Sequence, residues 1–442
     1  MRKSLFFLLL FLPIYLAGQT RNYPQELTDI LLEGKCFNEI NFYKENKDFL
    51  QDDYSQNFYF AMTYTHLNQP DSAIIYFNRL FDTYPGIFGT HAINIMENLK
   101  VNYMAMQDYQ GAWDVVEKQI AIAQNAQEID EATKTAICDD YRQQQQHYER
   151  FLSQPKMEII YPKGENNHLI KLDTLDFIIF DAKYNNKNFR TLFDTGAQSC
   201  LFMSKRVADK IGVKKITEEK EWITNGKPTN ANFCLIDSMN IGNILIKNIP
   251  AFVVDDEILP DSSTINNFDI VIGLPFLRHL GSVEVDVENR EVNIFSDSQI
   301  AENLKPNMYI VNNSLVLNSE INGIDFNAFF DTGANYYGLP MGVDEHFYEK
   351  HSDKILLNDS IDIQTMPTIS FGKSGYLKFK LPSELDIELN DKVYNMKGKS
   401  VVYQERGEDY NRDFDGFIYY PFLKLYKKSL FDFNKMTLYV EE

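Results

Sequence analysis

The hydrophobic residues of this chain follow two different periods, which divide it near residue 155. Before that point apolar residues recur at helical spacing, as in residues 58–67 and again in residues 72–84. After it, short apolar or alternating segments bounded by turn residues are typical of strands, for example residues 283–287. The sequence therefore predicts a multidomain α + β protein, in which a helical region over residues 19–155 precedes an all-β region.

Two segments of the helical region repeat at a constant distance. Tyr64 and Ala73 recur as Tyr103 and Ala112, each 39 residues further on. Small alanines at these positions allow two helices to approach closely, and the pattern resembles tetratricopeptide (TPR-like) helical pairs. That resemblance implies a groove for a peptide or a protein partner. A helical prodomain or a packing module fits the pattern equally well.

The first residues have the pattern of an export signal. Two basic residues precede an apolar run over residues 5–16, which Ala17 and Gly18 follow. A charged start, a short apolar stretch and small residues are typical of a secretory signal peptide, and the run is short for a transmembrane helix. We expect residues 1–18 to be removed and the protein to be periplasmic or secreted, without stable membrane insertion. An uncleaved anchor is the alternative.

Charge and cysteine content exclude several classes of function. The net charge of −20, from 63 acidic and 43 basic side chains, argues against a nucleic acid partner, because phosphates favour clustered Lys and Arg. Four cysteines occur without a C-x-x-C spacing: Cys36, Cys138, Cys200 and Cys234. They fit neither a zinc ribbon nor a redox motif, and both disulfides and free thiols remain open. There is no H-E-x-x-H motif for a zinc peptidase, and we expect no metal and no cofactor.

The β region contains two related halves. Residues 192–197 (Leu-Phe-Asp-Thr-Gly-Ala) recur as residues 329–334 (Phe-Phe-Asp-Thr-Gly-Ala), 137 residues later. Residues 268–277 recur as residues 414–423, 146 residues later. An insertion of nine residues in the second half reconciles the two offsets.

In each copy of the first motif, a hydrophobic strand ends at an aspartate, Asp194 or Asp331, and the chain then turns through Thr-Gly-Ala. Glycine permits a backbone path that a side chain would obstruct. A buried aspartate is costly without a partner, and the duplication supplies one in the other aspartate. Two carboxylates in one site cannot both ionise easily, so we expect one proton to be held between them.

The paired motifs and their downstream partners resemble those of the retropepsin-like and pepsin-like aspartic peptidases, over residues 165–442. The resemblance implies two lobes of a duplicated acid-protease barrel, at residues 156–300 and 301–442, in a chain that acts as a monomer. It further implies that Asp194 and Asp331 activate a water molecule to hydrolyse a peptide or protein substrate. The expected function is that of a secreted aspartic endopeptidase.

The same resemblance assigns supporting roles. Threonines would hydrogen-bond across the lobe junction, and small residues would let the two catalytic loops approach each other. These loop residues are Thr195, Gly196, Ala197, Thr332, Gly333 and Ala334. Residues of a hairpin in each lobe lie where the family has a substrate-covering flap. These are Trp222, Asn225, Gly226, Phe371 and Gly372.

One position departs from the family pattern. Tyr419 stands in the second half where the first half has Gly273, a glycine that in the family lies against the back of the catalytic loop. A local shift would accommodate the tyrosine, or the tyrosine would deform the second half of the site. The alternative hypothesis is therefore a catalytically weak or inactive peptidase-like module that binds peptides and carries a helical docking domain.

Overall fold

The structure is a computed structural model of the 442-residue chain. It describes residues 21–164, 168–172, 176–224, 227–259, 268–335, 338–358, 364–370, 373–404 and 414–442. The predicted export signal at residues 1–18 lies outside the described residues, as do Asn225, Gly226, Phe371 and Gly372. Within the described ranges, no helix has both the length and the apolar character needed to cross a membrane.

Helices come first along the chain and strands follow, as predicted. The α-helices are α1 (Tyr23–Glu33), α2 (Cys36–Glu45), α3 (Asp53–His66), α4 (Pro70–Thr83), α5 (Ala92–Ala105), α6 (Tyr109–Asn125), α7 (Glu131–Leu152), α8 (Lys205–Ile211), α9 (Leu274–Leu277) and α10 (Glu345–Lys350). Short 3-10 helices lie at Lys47–Phe49, Gly89–His91 and Tyr420–Leu425. Helices α1 to α7 precede the first strand, and the last three are short elements of the β region.

The predicted break between the first two repeated helices is confirmed, with a shifted boundary. Helix α4 begins at Pro70, two residues before the predicted start, because proline is well tolerated in the first turn of a helix. The chain reverses at Asn68, whose φ of 57° is left-handed. Asparagine adopts this conformation more easily than most residues, because its short polar side chain can hydrogen-bond locally. Ala73 of α4 and Ala112 of α6 are both fully buried.

The β region begins at Glu158. Its strands are β1 (Glu158–Ile160), β2 (His168–Lys171), β3 (Ile179–Tyr184), β4 (Lys187–Asp194), β5 (Leu201–Ser204), β6 (Lys214–Lys215), β7 (Lys220–Thr224), β8 (Lys227–Ile241), β9 (Ile244–Val254), β10 (Ile270–Gly273), β11 (Ser282–Asp286), β12 (Glu291–Phe295), β13 (Met308–Val311), β14 (Ser314–Ile321), β15 (Ile324–Asp331), β16 (Met341–Val343), β17 (Gln364–Ser370), β18 (Lys373–Lys380), β19 (Asp386–Leu389), β20 (Lys392–Asn395), β21 (Ser400–Gln404), β22 (Gly416–Tyr419), β23 (Lys428–Asp432) and β24 (Thr437–Glu441). The Asn322–Gly323 turn predicted from sequence joins β14 to β15, with both residues at positive φ.

The described strands form three sheets. The first has the order β1-β9-β5-β10-β4-β3-β8-β6, with β7 paired to β8. The third has the order β17-β18-β21-β16-β22-β15-β14-β19-β20, with β13 paired to β14. In each of these sheets a parallel pair is central to the site: β4 with β10, and β15 with β22.

The remaining sheet, β2-β12-β11-β23-β24, combines strands from both halves of the β region. Strand β11 runs antiparallel to β23, and Glu284 lies opposite Leu430. These two residues are 146 apart, which is the offset of the recurring motifs. A residue that faces its own counterpart is what a local twofold axis produces. The packing is continuous here as well, since the ring of Phe431 lies 6.3 Å from that of Phe193 and 5.5 Å from that of Phe330.

The helical region is fastened to the β region by polar and aromatic contacts. The side chain of Asn68 donates to the carbonyls of Arg278 and Phe433, each at 3.0 Å, and accepts from Arg278 Nε at 2.7 Å. Lys35 forms an ion pair with Asp415 at 3.2 Å. On α7, the His147 ring lies 4.2 Å from that of Phe233 on β8, and burial lowers the pKa of His147 to about 4, which keeps the ring neutral. The two regions therefore form one packed unit.

The Asn68 contacts predict a measurable contribution to stability. Replacing Asn68 by Ala removes three hydrogen bonds and leaves buried groups of Arg278 and Phe433 without partners, so the free energy of unfolding should fall by about 1–3 kcal/mol. The matched control is Asn186→Ala, at an exposed turn with a φ of 66°, which carries the same left-handed backbone penalty. Urea unfolding of both variants measures the difference. Equal losses would show that the Asn68 contacts contribute nothing.

Candidate active site

The two aspartates of the repeated motif lie at the ends of corresponding strands. Asp194 is the last residue of β4 and pairs with Gly273 of β10, while Asp331 is the last residue of β15 and pairs with Tyr419 of β22. Strand β4 ends in a run of buried residues, which fixes its direction and leaves the aspartate at its end. Asp194 is buried, and Asp331 keeps partial exposure.

The glycines of the two loops bring these side chains together. A methyl group on Gly196 would come within 2.6 Å of the Asp331 carboxyl carbon, and one on Gly333 would overlap the Asp194 carboxyl. The two carboxyl groups are close enough that each shifts the pKa of the other. Each also accepts a hydrogen bond from the glycine two residues ahead, from Gly196 N at 2.8 Å and from Gly333 N at 2.9 Å. No residue larger than glycine fits at either position.

The two threonines form a reciprocal set of buried hydrogen bonds between the loops. Thr195 Oγ1 donates to the Phe330 carbonyl at 2.6 Å and accepts from Thr332 N at 3.1 Å. Thr332 Oγ1 donates to the Phe193 carbonyl at 3.0 Å and accepts from Thr195 N at 3.0 Å. Both threonines are fully buried, so each bond replaces one that water would otherwise make. The bonds fix the two aspartates relative to each other.

Burial and mutual proximity shift the acidity of the pair. Burial raises the pKa of Asp194, against the opposing effect of the hydrogen bond from Gly196 N. Burial also raises the pKa of Asp331 well above its usual range, and the nearby charge of Asp194 adds to that rise. The two groups titrate as a unit, because removing the proton from one changes the affinity of the other. The arrangement retains a proton that an isolated aspartate would lose.

Each loop is held from behind by the same pair of backbone hydrogen bonds. In the first half, Leu274 N donates to the Ala197 carbonyl at 2.9 Å, and Gly273 N donates to the Cys200 carbonyl at 3.1 Å. In the second half, Tyr420 N donates to the Ala334 carbonyl at 3.1 Å, and Tyr419 N donates to the Pro340 carbonyl at 2.9 Å. The backbone support of the loop is therefore retained although Tyr419 replaces a glycine.

The side chain of Tyr419 is accommodated by changes around it. A methyl group on Gly273 would overlap the carbonyls of Ala197 and Ser199. The second half avoids this overlap because its loop is longer. The loop after Asp194 ends where Leu201 pairs with Ile272, and the loop after Asp331 ends where Met341 pairs with Ile418. The second loop is therefore three residues longer than the first.

A tyrosine pair, which sequence reasoning missed, completes this accommodation. Tyr419 is buried, and its hydroxyl lies 2.8 Å from that of Tyr403 on β21. The Tyr403 ring lies over Gly342, where any side chain would overlap it. Gly342 of the second half corresponds to Phe202 of the first half. Gly342 pairs with Phe417 of β22, and Phe202 pairs with Val271, the equivalent residue of β10. Gly342, in place of an aromatic residue such as Phe202, was the sequence signal that could have revealed that the second half makes room for Tyr419.

The predicted flap residues lie on hairpins, as far as the structure describes them. Strands β7 and β8 form a hairpin in the first half, and β17 and β18 form one in the second. Their innermost described pairs are Thr224 with Lys227 and Ser370 with Lys373, at an offset of 146. The ring of Trp222 makes edge contacts with Phe233 and Phe252, at 5.9 and 5.5 Å. The turn residues Asn225, Gly226, Phe371 and Gly372 lie outside the described residues.

Two further recurring aspartates, Asp286 and Asp432, end strands β11 and β23. Asp286 accepts from Asn289 N and Asp432 accepts from Lys435 N, both at 2.8 Å and both three residues ahead. They cap the hairpins β11–β12 and β23–β24. The cysteines likewise take no part in a disulfide, since all four are free thiols.

Comparison with known proteins agrees with this geometry over part of the chain. The sequence model of a family described as aspartyl protease matches residues 180–276, a segment that contains Asp194 and Gly273. A solved structure of a retropepsin-like aspartic protease from Rickettsia conorii is 20% identical and covers 31% of this chain and 91% of its own, with a TM-score of 0.21. A search of curated proteins finds no match. The chain is thus similar to aspartyl proteases in the segment around its first aspartate.

The threonine bonds predict a sharp difference between two substitutions. Thr332→Val keeps the shape of the side chain but leaves Thr195 N and the Phe193 carbonyl buried without partners, which should lower the free energy of unfolding by about 2–4 kcal/mol. Thr332→Ser keeps the hydroxyl and should retain most of that stability. Chemical unfolding of the two variants beside the wild type tests this. A serine variant as unstable as the valine variant would contradict the role given to the hydroxyl.

Proposed function

We propose that this chain is an aspartic endopeptidase in which Asp194 and Asp331 activate a water molecule. The observation that carries the proposal is that the carboxyl groups of Asp194 and Asp331, at the ends of corresponding strands, come together against the glycines of the opposite loops, with the pKa of both raised. The match of residues 180–276 to aspartyl proteases supports it. The neighbouring residues Thr195, Gly196, Thr332 and Gly333 position the pair.

The chemistry follows from a pair that holds one proton. The ionised carboxyl takes a proton from water as the water oxygen attacks the carbonyl carbon of the scissile peptide bond. The protonated carboxyl gives its proton to the carbonyl oxygen, which yields a gem-diol. As the gem-diol collapses, the first carboxyl gives the proton that it took from water to the amide nitrogen, which leaves as the amine, and the second carboxyl recovers a proton from a gem-diol hydroxyl. The side chains alone supply acid and base, and no covalent intermediate with the protein is needed.

We infer that the β region is a duplicated barrel of two lobes, at residues 156–300 and 301–442. The pairing of Glu284 with Leu430, the reciprocal threonine bonds and the shared backbone support of the loops favour this interpretation. Because both aspartates belong to one chain, the proposed active form is a monomer.

We infer that the hairpins β7–β8 and β17–β18 act as flaps over an extended peptide. An extended peptide satisfies its backbone groups by pairing with strand edges, and hairpins beside the dyad would provide such edges and exclude water. In this proposal Trp222 supports the first flap through its contacts with Phe233 and Phe252.

We also propose that the helical region, at residues 19–155, is a TPR-like docking module for a protein partner. The buried alanines Ala73 and Ala112 at corresponding positions support the likeness. Its contacts with the β region through Asn68, Lys35 and His147 favour a helical region that stays attached over a prodomain that is removed. Export to the periplasm or the medium is proposed from the pattern of residues 1–18 alone.

The alternative hypothesis, a weak or inactive peptide-binding module, depended on Tyr419. Since the loop keeps its backbone hydrogen bonds and the tyrosine ring is accommodated beside Tyr403, the structure gives no reason to expect a deformed second half of the site. The endopeptidase is therefore the function that we propose.

The first test is cleavage of a diverse peptide library from about pH 3 to about pH 8, where dyads of this kind titrate. Asp194→Asn and Asp331→Asn should each lower kcat/KM by roughly 10²–10⁴-fold, because each removes an acid or base from the reaction. Asp209→Asn, on the exposed surface of α8, is the matched control and should cleave as the wild type does. No cleavage by the folded wild-type chain at any pH would refute the peptidase and favour peptide binding.

The raised pKa values predict the pH dependence of stability as well. A carboxyl whose pKa is higher in the folded than in the unfolded state stabilises the fold most at low pH, and this contribution is lost as the pH rises through the folded pKa. Asp331→Asn removes that contribution, so the stability of the wild type should fall relative to the variant as the pH rises above about 4. Urea unfolding across this range measures it. Parallel curves for the two proteins would contradict the raised pKa values.

The accommodation of Tyr419 predicts the outcome of restoring the glycine. Tyr419→Gly empties a filled buried site and should lower the free energy of unfolding by about 3–5 kcal/mol, with no gain in kcat/KM. Tyr419→Phe removes only the bond to Tyr403 and should cost about 1 kcal/mol. Unfolding and peptide cleavage of both variants test this. A more active glycine variant would show that Tyr419 impairs the site and would revive the alternative.

A further inference from the structure

Three side chains with metal-binding atoms meet in the helical region, away from the aspartate pair. Cys36 and Glu39 lie on α2, three residues apart and hence on one face of the helix, and His66 is the last residue of α3. One donor atom from each lies within 4.8 Å of the other two. Cys36 and Glu39 are completely buried, and His66 is 1% exposed.

The hydrogen bonding of this cluster is incomplete. Glu39 Oε2 lies 3.2 Å from His66 Nδ1. Glu39 Oε1 and His66 Nε2 are buried and have no hydrogen-bond partner among the described residues. A buried carboxylate with a single contact is costly, because its remaining oxygen has lost water without replacement. Such unsatisfied atoms in a completely buried cluster call for a ligand.

We propose that Cys36, Glu39 and His66 bind a zinc ion that fastens α2 to α3. Zinc accepts this mixture of sulfur, nitrogen and oxygen, at about 2.3 Å from sulfur and about 2.0–2.2 Å from nitrogen or oxygen. Three protein ligands leave the fourth position to a water molecule.

The charges of the cluster agree with a divalent ion. On binding, the Cys36 thiol releases its proton to solvent, and the thiolate sulfur gives an electron pair to the metal. The thiolate and the Glu39 carboxylate then balance the two positive charges of zinc, so the buried site is neutral and the desolvation of each group is offset.

The position of the cluster gives the ion a structural role. Cys36 packs with Tyr309, Val316 and Phe414 of the β region, and the ring of His66 lies 6.0 Å from that of Tyr309. The same apolar cluster includes Phe329, two residues before Asp331 on β15. An ion here would hold α2 and α3 together beside the apolar cluster that includes β15, the strand that ends at Asp331. This inference revises the expectation that the chain binds no metal, and it does not depend on the proposed peptidase activity.

The direct test measures the zinc content of the full-length chain. The protein is first treated with a chelator, then reloaded with Zn²⁺ alone and dialysed. We expect one zinc ion per chain by mass spectrometry of the metal. Cys36→Ser and Glu39→Gln should bind more than about tenfold more weakly. Cys138→Ser is the matched control, since it removes another buried free thiol of the helical region, and it should bind as the wild type does. Wild-type protein that retains no more zinc than Cys36→Ser overturns the proposal.

A second measurement does not require Cys36 variants to fold. In a chain with Ser in place of Cys138, Cys200 and Cys234, the thiol of Cys36 is the only one left. Bound Co²⁺ should then give the absorption of a tetrahedral site together with a thiolate charge-transfer band, and excess Zn²⁺ should remove both. A Co²⁺ spectrum without the thiolate band would mean that Cys36 is not a ligand, and that Glu39 and His66 form only a buried hydrogen-bonded pair.

Discussion

Two carboxyl groups can share one site only if a proton remains between them and if donors are aimed at their oxygens. Gly196 N and Gly333 N supply those donors, and the lack of a side chain on the same glycines lets the carboxyl groups meet. The reciprocal threonine bonds then prevent the loops from separating to relieve the crowding. The identity of three successive residues in each loop thus follows from one electrostatic constraint.

The rest of the molecule supports this constraint from behind. Each aspartate ends a strand that lies beside a second, parallel strand, and the backbone of that second strand holds the loop. In the second half the support extends further, because Phe329 and Phe414 belong to the same apolar cluster as Cys36 at the start of α2. The helical region is therefore continuous with the structure that positions Asp331. Asn68, which bonds to Arg278 and Phe433, fixes the same region at a separate place.

What could be predicted from the sequence was local and steric. The break before α4, the Asn322–Gly323 turn and the small residues beside Asp194 and Asp331 are each set by a few neighbouring residues, and the structure has them where expected. The contact between Tyr403 and Tyr419 and the clamp at Asn68 were not foreseen. Tyr403 and Tyr419 lie on different strands of one sheet, and Asn68 lies far along the chain from Arg278 and Phe433. No local sequence pattern specifies such a pair. The flap turns lie outside the described residues.

The exchange of glycine and aromatic residues between the halves shows which parts of the site are constrained. The first half combines Gly273 with Phe202, and the second combines Tyr419 with Gly342 and fills the space with Tyr403. The side chains differ, yet the hydrogen bonds from the backbone of the strand to the carbonyls of the loop are the same. A packed interior tolerates an exchange that conserves volume, whereas a lost backbone bond would leave a buried carbonyl without a partner. The symmetry that the site requires is therefore that of its backbone.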